Sequence, residues 1–357
     1  MEIVVLDNTS VDGSATAISR EFPEVRVIAS DENFGFAGGN NEAVLESLGR
    51  WLVLLNPDTV VLRNGIEHLI EFCKSRERPT LAGGRSYNSD HTLNPTTCWG
   101  EPTLWSVFCA AVGLSAVFRK NTFFDPEPLG SWKRDSVRPV PIVAGCLIAV
   151  KRAVWDKLGG FDRDFFMYGE DADLSLRARD LGVECVICPD AEFVHYAGAS
   201  ERVPADKMVC LFSGKMRLYR NHWLQYKATS AARFFAVHCL VRYGLNTVFG
   251  LVVASRRSLS KEWLKVFGRS AEWFDPQAKE QANYTVFMAA KCVRRVIRRP
   301  FILSGLGFGW GYLKSFLTRA PRVDDPALIK YIRQQQMQRL RKRPSLWADA
   351  VGNLRLA

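Results

Sequence analysis

Residues 161–182 read FDRDFFMYGEDADLSLRARDLG. Aromatic residues lead to Gly169, and the acidic pair Glu170-Asp171 opens a helical pattern in which charged residues alternate with leucines. Acidic side chains in a first helical turn are stabilised by the helix dipole, and this capping interpretation is favoured when the stretch is taken alone. The aromatic residues indicate an alternative: a carboxylate at the rim of an apolar pocket, where its pKa rises toward the range of a general base.

Upstream of this stretch, short apolar runs alternate with helical patterns. The predicted strands are Ile3–Leu6, Val25–Ala29, Trp51–Leu55, Ile142–Lys151 and, downstream, Val183–Cys188. The predicted helices are Ser14–Glu21, one ending near Leu48, Asn64–Lys74 and Arg152–Leu158. Strands alternating with helices predict an α/β domain with a mostly parallel sheet.

Acidic residues follow two of the predicted strands. Asp7 comes after the first strand, and Asn56-Pro57-Asp58 follows Trp51–Leu55. Ligands of such sheets bind outside the carboxyl ends of the strands. A carboxylate there suits Mg²⁺ or Mn²⁺, which bind through one or two carboxylates plus substrate phosphates. An ordinary Asn-Pro-Asp turn is the alternative and is favoured for the motif alone.

Two more features accompany these carboxylates. Asp7 either accepts hydrogen bonds from a base or ribose or stabilises a turn with Asn8. Residues 33–40 read NFGFAGGN, a glycine-rich loop before a helix that suits the approach of a phosphate or sugar. The loop lacks the Gly-Lys-Ser/Thr of a P-loop and the G-x-G-x-x-G spacing of a dinucleotide fold.

His195 and residues 86–135 give weaker indications of function than the motifs above. A lone histidine is more often structural than a ligand, but His195 would complete a site that already contains Asp58 and Glu170-Asp171. Residues 86–135 surround one apolar piece, Leu104–Phe118, with polar turns, which predicts a mobile or acceptor-facing insertion.

Charge is distributed unevenly along the 357 residues. Residues 1–200 carry 19 Lys and Arg against 28 Asp and Glu, and residues 201–357 carry 29 against 9, so the net charges are −9 and +20. The basic rear half would be attracted to anionic lipid or to nucleic acid. Its longest apolar stretch, Ala231–Ser255, is interrupted by charged residues and predicts an interfacial or buried helix.

The cysteine content and the first residues of the chain give an indication of the cellular compartment. Nine scattered cysteines argue against a disulfide framework and fit a reducing environment. Cys185 and Cys188 lie in an apolar strand pattern and are expected to be core thiols. Met1 leads directly into an apolar strand pattern, so no signal peptide is expected.

The motifs together resemble a known family. They are Asp7–Ser14, Asn33–Phe36, Asn56–Asp58, Gly160–Asp162, Gly169–Leu174 with Arg177, and His195 with Gly198–Ser200, and their order is similar to that of glycosyltransferase family 2, within its rhamnosyltransferase-like bacterial branch. The resemblance covers about residues 2–223. It implies a GT-A, Rossmann-like domain over residues 1–225, followed by a basic, amphipathic helical region over residues 226–357.

The resemblance also implies roles for these residues. Asp171 would be the base that deprotonates the acceptor hydroxyl, Glu170 would position the acceptor or back up Asp171, and the product would have inverted stereochemistry. Asp58 would bind Mg²⁺ or Mn²⁺ on the diphosphate, and His195 would be a further ligand. Asp7 would contact the base or ribose. The nucleotide-sugar-binding set would be Asp7, Asn8, Asn33, Gly35, Phe36, Asn40 and Asp58.

The chain departs from the family at its start. The family begins with a further strand and helix before the strand equivalent to Ile3–Leu6. That further strand lies in the middle of the sheet, so its loss is expected to leave buried backbone groups unpaired and half of the nucleotide pocket unbuilt. A start codon assigned too late and a truncated, inactive form are both open explanations.

Three functions are therefore considered. The first is inverting, metal-dependent transfer of a sugar from a nucleoside-diphosphate donor to a glycan or lipid-linked acceptor; the loop at Asn33–Phe36 favours dTDP-rhamnose by resemblance only. The expected location is cytoplasmic, peripheral at the anionic inner face of the cell membrane. The second is a non-catalytic scaffold in polysaccharide assembly. The third, a nucleic-acid-binding protein, ranks lowest because the basic residues form no recognition motif.

Overall fold

The computed structural model describes residues 1–196 and 204–274. Two sequence predictions lie wholly or partly outside these residues: the Gly198–Ser200 motif, and the part of the basic helical region that follows residue 274. The rest of the pattern can be compared with the structure directly.

In the described residues there are eleven strands and ten α-helices. The strands are β1 Val4–Asp7, β2 Arg26–Ala29, β3 Trp51–Leu55, β4 Thr59–Val61, β5 Thr80–Tyr87, β6 Leu93–Asn94, β7 Cys98–Trp99, β8 Arg138–Pro139, β9 Ile142–Val143, β10 Leu147–Lys151 and β11 Glu184–His195. The helices are α1 Ser14–Glu21, α2 Gly35–Leu45, α3 Gly65–Ser75, α4 Leu104–Val112, α5 Leu114–Val117, α6 Arg152–Leu158, α7 Glu170–Asp180, α8 Pro204–His222, α9 Gln225–Phe249 and α10 Ala254–Gly268.

The central sheet has the strand order β3-β10-β5-β11-β4, with β6 added to β5 and β8 added to β11. The α/β class, with a central sheet flanked by helices, is confirmed. The expected mostly parallel pairing is corrected to a mixed one, because β10 runs antiparallel to both β3 and β5, and β4 runs antiparallel to β11. β10 begins beside the middle of β5, with Ile148 opposite Gly83, and runs back toward the start of β5, so the two strands are antiparallel.

A second, smaller sheet carries the first motif. β1 pairs in parallel with β2, and the described strands include no other partner for either of them. The β1 residues are half-buried rather than buried. Two side-chain contacts link this sheet to the chain around β3: Glu2 accepts a hydrogen bond from the Leu48 N–H at 2.8 Å, and Arg26 pairs with Glu46.

Helices cover both faces of the central sheet. On one face, α3 packs Leu69 and Cys73 against Leu147, Val186 and other buried strand residues. On the other face, α6 and α7 pack Trp155 and Leu174 into a larger core that extends into α8 and α9. Cys185 and Cys188 are buried free thiols, which confirms the core-thiol prediction.

The segment expected to be a mobile or acceptor-facing insertion is folded. The Arg134 side chain is buried and donates hydrogen bonds to the carbonyls of Trp132, Pro95 and Pro128 at 2.5, 3.0 and 2.8 Å. These bonds hold the turns of residues 121–135 against the stretch that precedes β7. Whether this segment faces an acceptor stays a prediction.

The rear of the described chain is helical, as its composition predicts. α9 packs against α4 and α8, and α10 packs back along α9. α9 replaces the predicted Ala231–Ser255 helix and begins six residues earlier. Among the described residues, no helix combines the length and apolarity that crossing a membrane requires. The division of the chain at residues 225 and 226 stays a prediction.

Candidate active site

Asp58 and His195 meet at one edge of the central sheet. β4 and β11 pair with Thr59 opposite His195, and the Tyr196 N–H donates to the Asp58 carbonyl at 2.8 Å. This pairing brings His195 Nε2 to 3.1 Å from Asp58 Oδ1. The His195 side chain is 14% exposed and that of Asp58 is 33% exposed, so the pair is accessible mainly from the carboxylate.

The chemistry of this pair fits a divalent cation. Asp58 Oδ1 and His195 Nδ1 are buried, and apart from the approach of Asp58 Oδ1 to His195 Nε2 neither atom has a hydrogen-bond partner among the described residues. Carboxylate oxygen suits Mg²⁺ and Mn²⁺, and imidazole nitrogen favours the transition metals. The described residues contain no cluster of three such ligands. A cation here would therefore need further oxygens, as ions that bind together with substrate phosphates do.

Asp171 lies at the same edge of the sheet, although it is far from Asp58 in the sequence. Its Oδ2 accepts a hydrogen bond from the Gly145 N–H at 2.9 Å, and its Oδ1 accepts from the Ala172 N–H at 2.8 Å. Cys146, next to Gly145, is near enough to both carboxylates that their charges raise the pKa of its thiol, after burial as the main cause. Asp171 is only partly buried.

Gly145 permits this arrangement because it has no side chain. A Cβ atom at Gly145 would lie 3.1 Å from the ring of Phe36 and 3.6 Å from Asp171 Cβ. Phe36, from the glycine-rich loop, packs at 5.7 Å between ring centroids against Phe161. Phe36 of the glycine-rich loop and Asp171 of α7 therefore both lie against Gly145.

Glu170 is more deeply buried than Asp171. Burial raises the pKa of Glu170, and the adjacent Asp171 charge adds to the rise, giving a pKa of about 8. Burial also raises the pKa of Asp171, although hydrogen bonds from the Gly145 and Ala172 N–H groups oppose it. Glu170 Oε2 accepts no hydrogen bond from the described residues. Burial thus raises the pKa of both carboxyls, and the charge of Asp171 raises that of Glu170 further.

Glu170 gives the protein a pH-dependent stability. Because its pKa is higher in the folded state than in the unfolded state, the folded protein loses stability as the pH rises from about 4.5 to about 8. We expect the free energy of unfolding to fall by about 2 kcal/mol between pH 6 and pH 8 through this group alone. Glu170→Gln should remove that part of the slope in denaturant titrations, whereas Asp180→Asn, an exposed change on the same helix, should leave it. Identical slopes for the wild type and Glu170→Gln would contradict the assignment.

The glycine-rich loop is fixed by Asn8 and Phe166. The Asn8 amide donates to the Gly35 carbonyl and accepts from the Phe34 N–H, both at 2.9 Å. Gly35 has a φ of +67°, and a Cβ there would lie 2.2 Å from the Phe166 carbonyl. That carbonyl accepts a hydrogen bond from the Phe36 N–H at 2.9 Å. Two motifs separated by more than 120 residues are joined by this contact.

The structure places the other predicted binding residues around this loop. Asn33 Oδ1 accepts from the Gly35 N–H at 2.9 Å, and the Asn40 amide donates to the Phe36 carbonyl at 2.9 Å. Asp7 is half-buried at the end of β1, and its carbonyl accepts from the Ser30 N–H at 3.0 Å. The observed bonds of Asn8, Asn33 and Asn40 shape the backbone; contact with a donor stays a prediction for all of these residues.

Sequence reasoning missed a buried network on the same helix. Asp173, expected on a polar face, has a side chain that is only 2% exposed. It accepts from Arg177 Nε at 2.7 Å and lies 2.8 Å from His222 Nε2. Burial alone would raise the pKa of Asp173, but these two partners outweigh it and hold the pKa below its ordinary value. The i, i+4 spacing of Asp173 and Arg177 was the available signal.

Comparison with known proteins agrees with the motifs. Residues 1–123 match the model of the family described as Glycosyl transferase family 2. An N-acetylglucosaminyl-diphospho-decaprenol L-rhamnosyltransferase of Mycobacterium tuberculosis is 27% identical over 226 residues, which are 58% of this chain and 71% of that protein. A low-salt glycan biosynthesis hexosyltransferase of Haloferax volcanii is 25% identical over 198 residues, 54% of this chain and 58% of that protein.

Among solved structures, a crystal structure of GalNAc-T7 with UDP, GalNAc and Mn²⁺ overlaps this chain with a TM-score of 0.46 and 16% identity. The overlap covers 66% of this chain and 44% of that one, so this chain spans less than half the length of that protein.

Proposed function

We propose that this chain, whose residues 1–123 match the family 2 glycosyltransferase model, transfers a sugar from a nucleoside-diphosphate donor to a hydroxyl of a lipid-linked or cell-surface glycan, with inversion at the anomeric carbon. The observation that carries the proposal is the Asp171 carboxylate, held by the Gly145 N–H at 2.9 Å on the sheet edge that also bears Asp58 and His195.

Asp171 is proposed to act as the general base. Its partial exposure lets it meet an acceptor, and its raised pKa makes the carboxylate a stronger proton acceptor. Asp171 takes the proton of the acceptor hydroxyl while that oxygen forms a bond to the anomeric carbon. The bond from this carbon to the phosphate oxygen breaks, and the nucleoside diphosphate leaves with the electron pair. Attack opposite the leaving group inverts the stereochemistry.

Glu170 supports this division of roles. With a pKa raised by burial to about 8, Glu170 is mostly protonated at pH 7, so Asp171 is proposed to act as the base. Its Oε2 is buried and has no hydrogen-bond partner among the described residues, and we propose that it supports Asp171 or positions the acceptor.

Asp58 and His195 are proposed to hold Mg²⁺ or Mn²⁺. The bound ion would offset charge on the departing diphosphate. By resemblance, Asn56 stands where a full DxD motif has its first acidic residue, so we expect weak cation binding without the donor. The Asn56 N–H donates to the Cys146 carbonyl at 3.1 Å. Asp7, at the end of β1, is proposed to contact the nucleoside.

The donor and acceptor follow from similarity. The mycobacterial relative is named as a rhamnosyltransferase acting on an N-acetylglucosaminyl diphospholipid, and the proposal takes dTDP-rhamnose and a lipid-diphosphate acceptor as first probes. A panel of nucleotide sugars, with Mg²⁺ or Mn²⁺ and released nucleoside diphosphate as readout, tests the proposal. Absence of turnover and of binding heat with every nucleotide would favour a non-catalytic scaffold.

The metal assignment has its own test. Asp58→Asn removes the charged ligand, and we expect the Mn²⁺ concentration that gives half-maximal turnover to rise by about tenfold or more. Asp162→Asn, a carboxylate away from Asp58 and His195, is the matched control. Turnover that is unaffected by a chelator in the wild type would contradict the assignment.

A further inference from the structure

The helices α9 and α10 form a hairpin whose turn lies beyond the end of α4. Phe108 of α4 contacts Phe234 at 5.4 Å between ring centroids, and the Ala110 carbonyl lies 3.0 Å from His238 Nδ1, so α4 and α9 run in the same direction. α4 ends at Val112, whereas α9 continues from His238 to Phe249, about 16 Å further. α10 returns along α9, with Thr247 Oγ1 at 2.7 Å from Ser260 Oγ.

The end of this hairpin is apolar and exposed. We call Val248, Phe249, Leu251, Val252 and Val253 the apolar tip. Their exposed fractions are 63%, 57%, 77%, 89% and 47%. Large apolar side chains are individually common on protein surfaces, but a contiguous exposed group at one turn marks an interaction site.

Basic residues stand directly behind the apolar tip. Arg256 and Arg257 are exposed and begin the first turns of α10. Arg257 Nε donates to the Gly250 carbonyl at 2.6 Å and Arg256 Nη1 to Asn246 Oδ1 at 3.4 Å, and within the described residues neither pairs with a carboxylate. Residues 207–261 contain ten Lys and Arg and no Asp or Glu. The positive charge around the tip is therefore not neutralised by its own segment.

From this combination we infer that the apolar tip inserts into the interface of an anionic membrane, with Arg256 and Arg257 contacting the lipid headgroups. Apolar side chains with cations behind them match the order of acyl chain and headgroup in a lipid leaflet. Nucleic acid offers no such match, because a polyphosphate surface would leave the five apolar side chains without an apolar environment. The inference rests on the proposed lipid-linked acceptor for its role, since it brings the enzyme to the surface where that acceptor lies.

Co-sedimentation of the full chain with vesicles tests the inference. We expect binding to phosphatidylcholine vesicles that contain about 30% phosphatidylglycerol and weak binding to phosphatidylcholine alone. Phe249→Asp with Val252→Asp should lower the partition coefficient by about 100-fold or more. Arg256→Gln with Arg257→Gln should lower it by about tenfold on the anionic vesicles. Phe22→Asp with Leu48→Asp, at exposed apolar positions elsewhere, should leave it unchanged.

Three results would overturn the inference. The first is that the wild type fails to bind anionic vesicles. The second is that the Phe249/Val252 variant binds them as well as the wild type. The third is that this variant only converts a dimer into a monomer in sedimentation velocity, which would make the apolar tip an interface between copies. Thermal unfolding of each variant reports whether it is folded. The vesicle measurement uses neither donor nor acceptor, so its failure leaves the transferase proposal standing, and a failed donor screen leaves the vesicle result standing.

Discussion

Asp171→Asn should lower the turnover of the donor by about 10²- to 10⁴-fold while the protein stays folded. Asparagine has nearly the same shape and can still accept the hydrogen bond from the Gly145 N–H, but it cannot take a proton from an acceptor hydroxyl. Burial raises the pKa of the Asp171 carboxyl, which means that its charged form is unfavourable in the folded protein. Replacing it by a neutral amide should therefore not destabilise the folded state. Nucleoside diphosphate release under saturating donor and acceptor measures the effect.

A matched control for this prediction lies on the same helix. Asp180 is the exposed last residue of α7, and Asp180→Asn changes the same chemical group far from the sheet edge. Its turnover should equal that of the wild type. Full turnover in Asp171→Asn would exclude Asp171 as the base, and equal losses in both variants would point to the charge of α7 as a whole.

Asp173→Asn should lower the free energy of unfolding by about 3 kcal/mol or more, because it breaks a buried charged pair and leaves Arg177 without its carboxylate. Arg177 also donates to the Leu158 carbonyl at 2.7 Å and to the Gly160 carbonyl at 3.0 Å. Asp173 therefore orients the side chain that joins α7 to the end of α6. Its other oxygen lies against His222 of α8, so three helices depend on one carboxylate.

Arg179→Gln supplies the control for this second prediction. Arg179 pairs with Glu101 at 2.8 Å, but both side chains are well exposed, and such pairs contribute about 1 kcal/mol or less. Chemical denaturation of the two variants should separate them clearly. A loss in Asp173→Asn no larger than that in Arg179→Gln would show that the buried network adds nothing beyond a surface ion pair.

Local sequence was a good guide to individual elements. Trp51–Leu55, Ser14–Glu21 and Arg152–Leu158 have the predicted bounds, because their own periodicity and flanking residues decide where they begin and end. The strand predicted to stop at Cys188 instead continues as β11 to His195. The Pro189-Asp190 pair reads as a turn, but the sheet absorbs it as a register shift between Ile187 and Glu192.

Contacts between distant elements were not predictable in this way. The approach of Asp58 to His195 could be expected, since both follow strands of one sheet. The Gly145 bond to Asp171 and the antiparallel course of β10 depend on how far-separated segments pack. An isolated glycine within an apolar run does signal a close approach of another group, but not which group approaches.

The separation of β1 and β2 from the central sheet divides the site between two hydrogen-bonded units. Asp7 belongs to the small sheet, whereas Asp58, His195 and the Gly145 partner of Asp171 belong to the large one. Side-chain amides span the division: Asn8 holds the loop at Gly35, and Asn41 of α2 bonds Phe161 through both its oxygen and its nitrogen. On the proposed roles, recognition of the nucleoside would rest on the small sheet and proton transfer on the large one, so loosening the small sheet need not disorder the base.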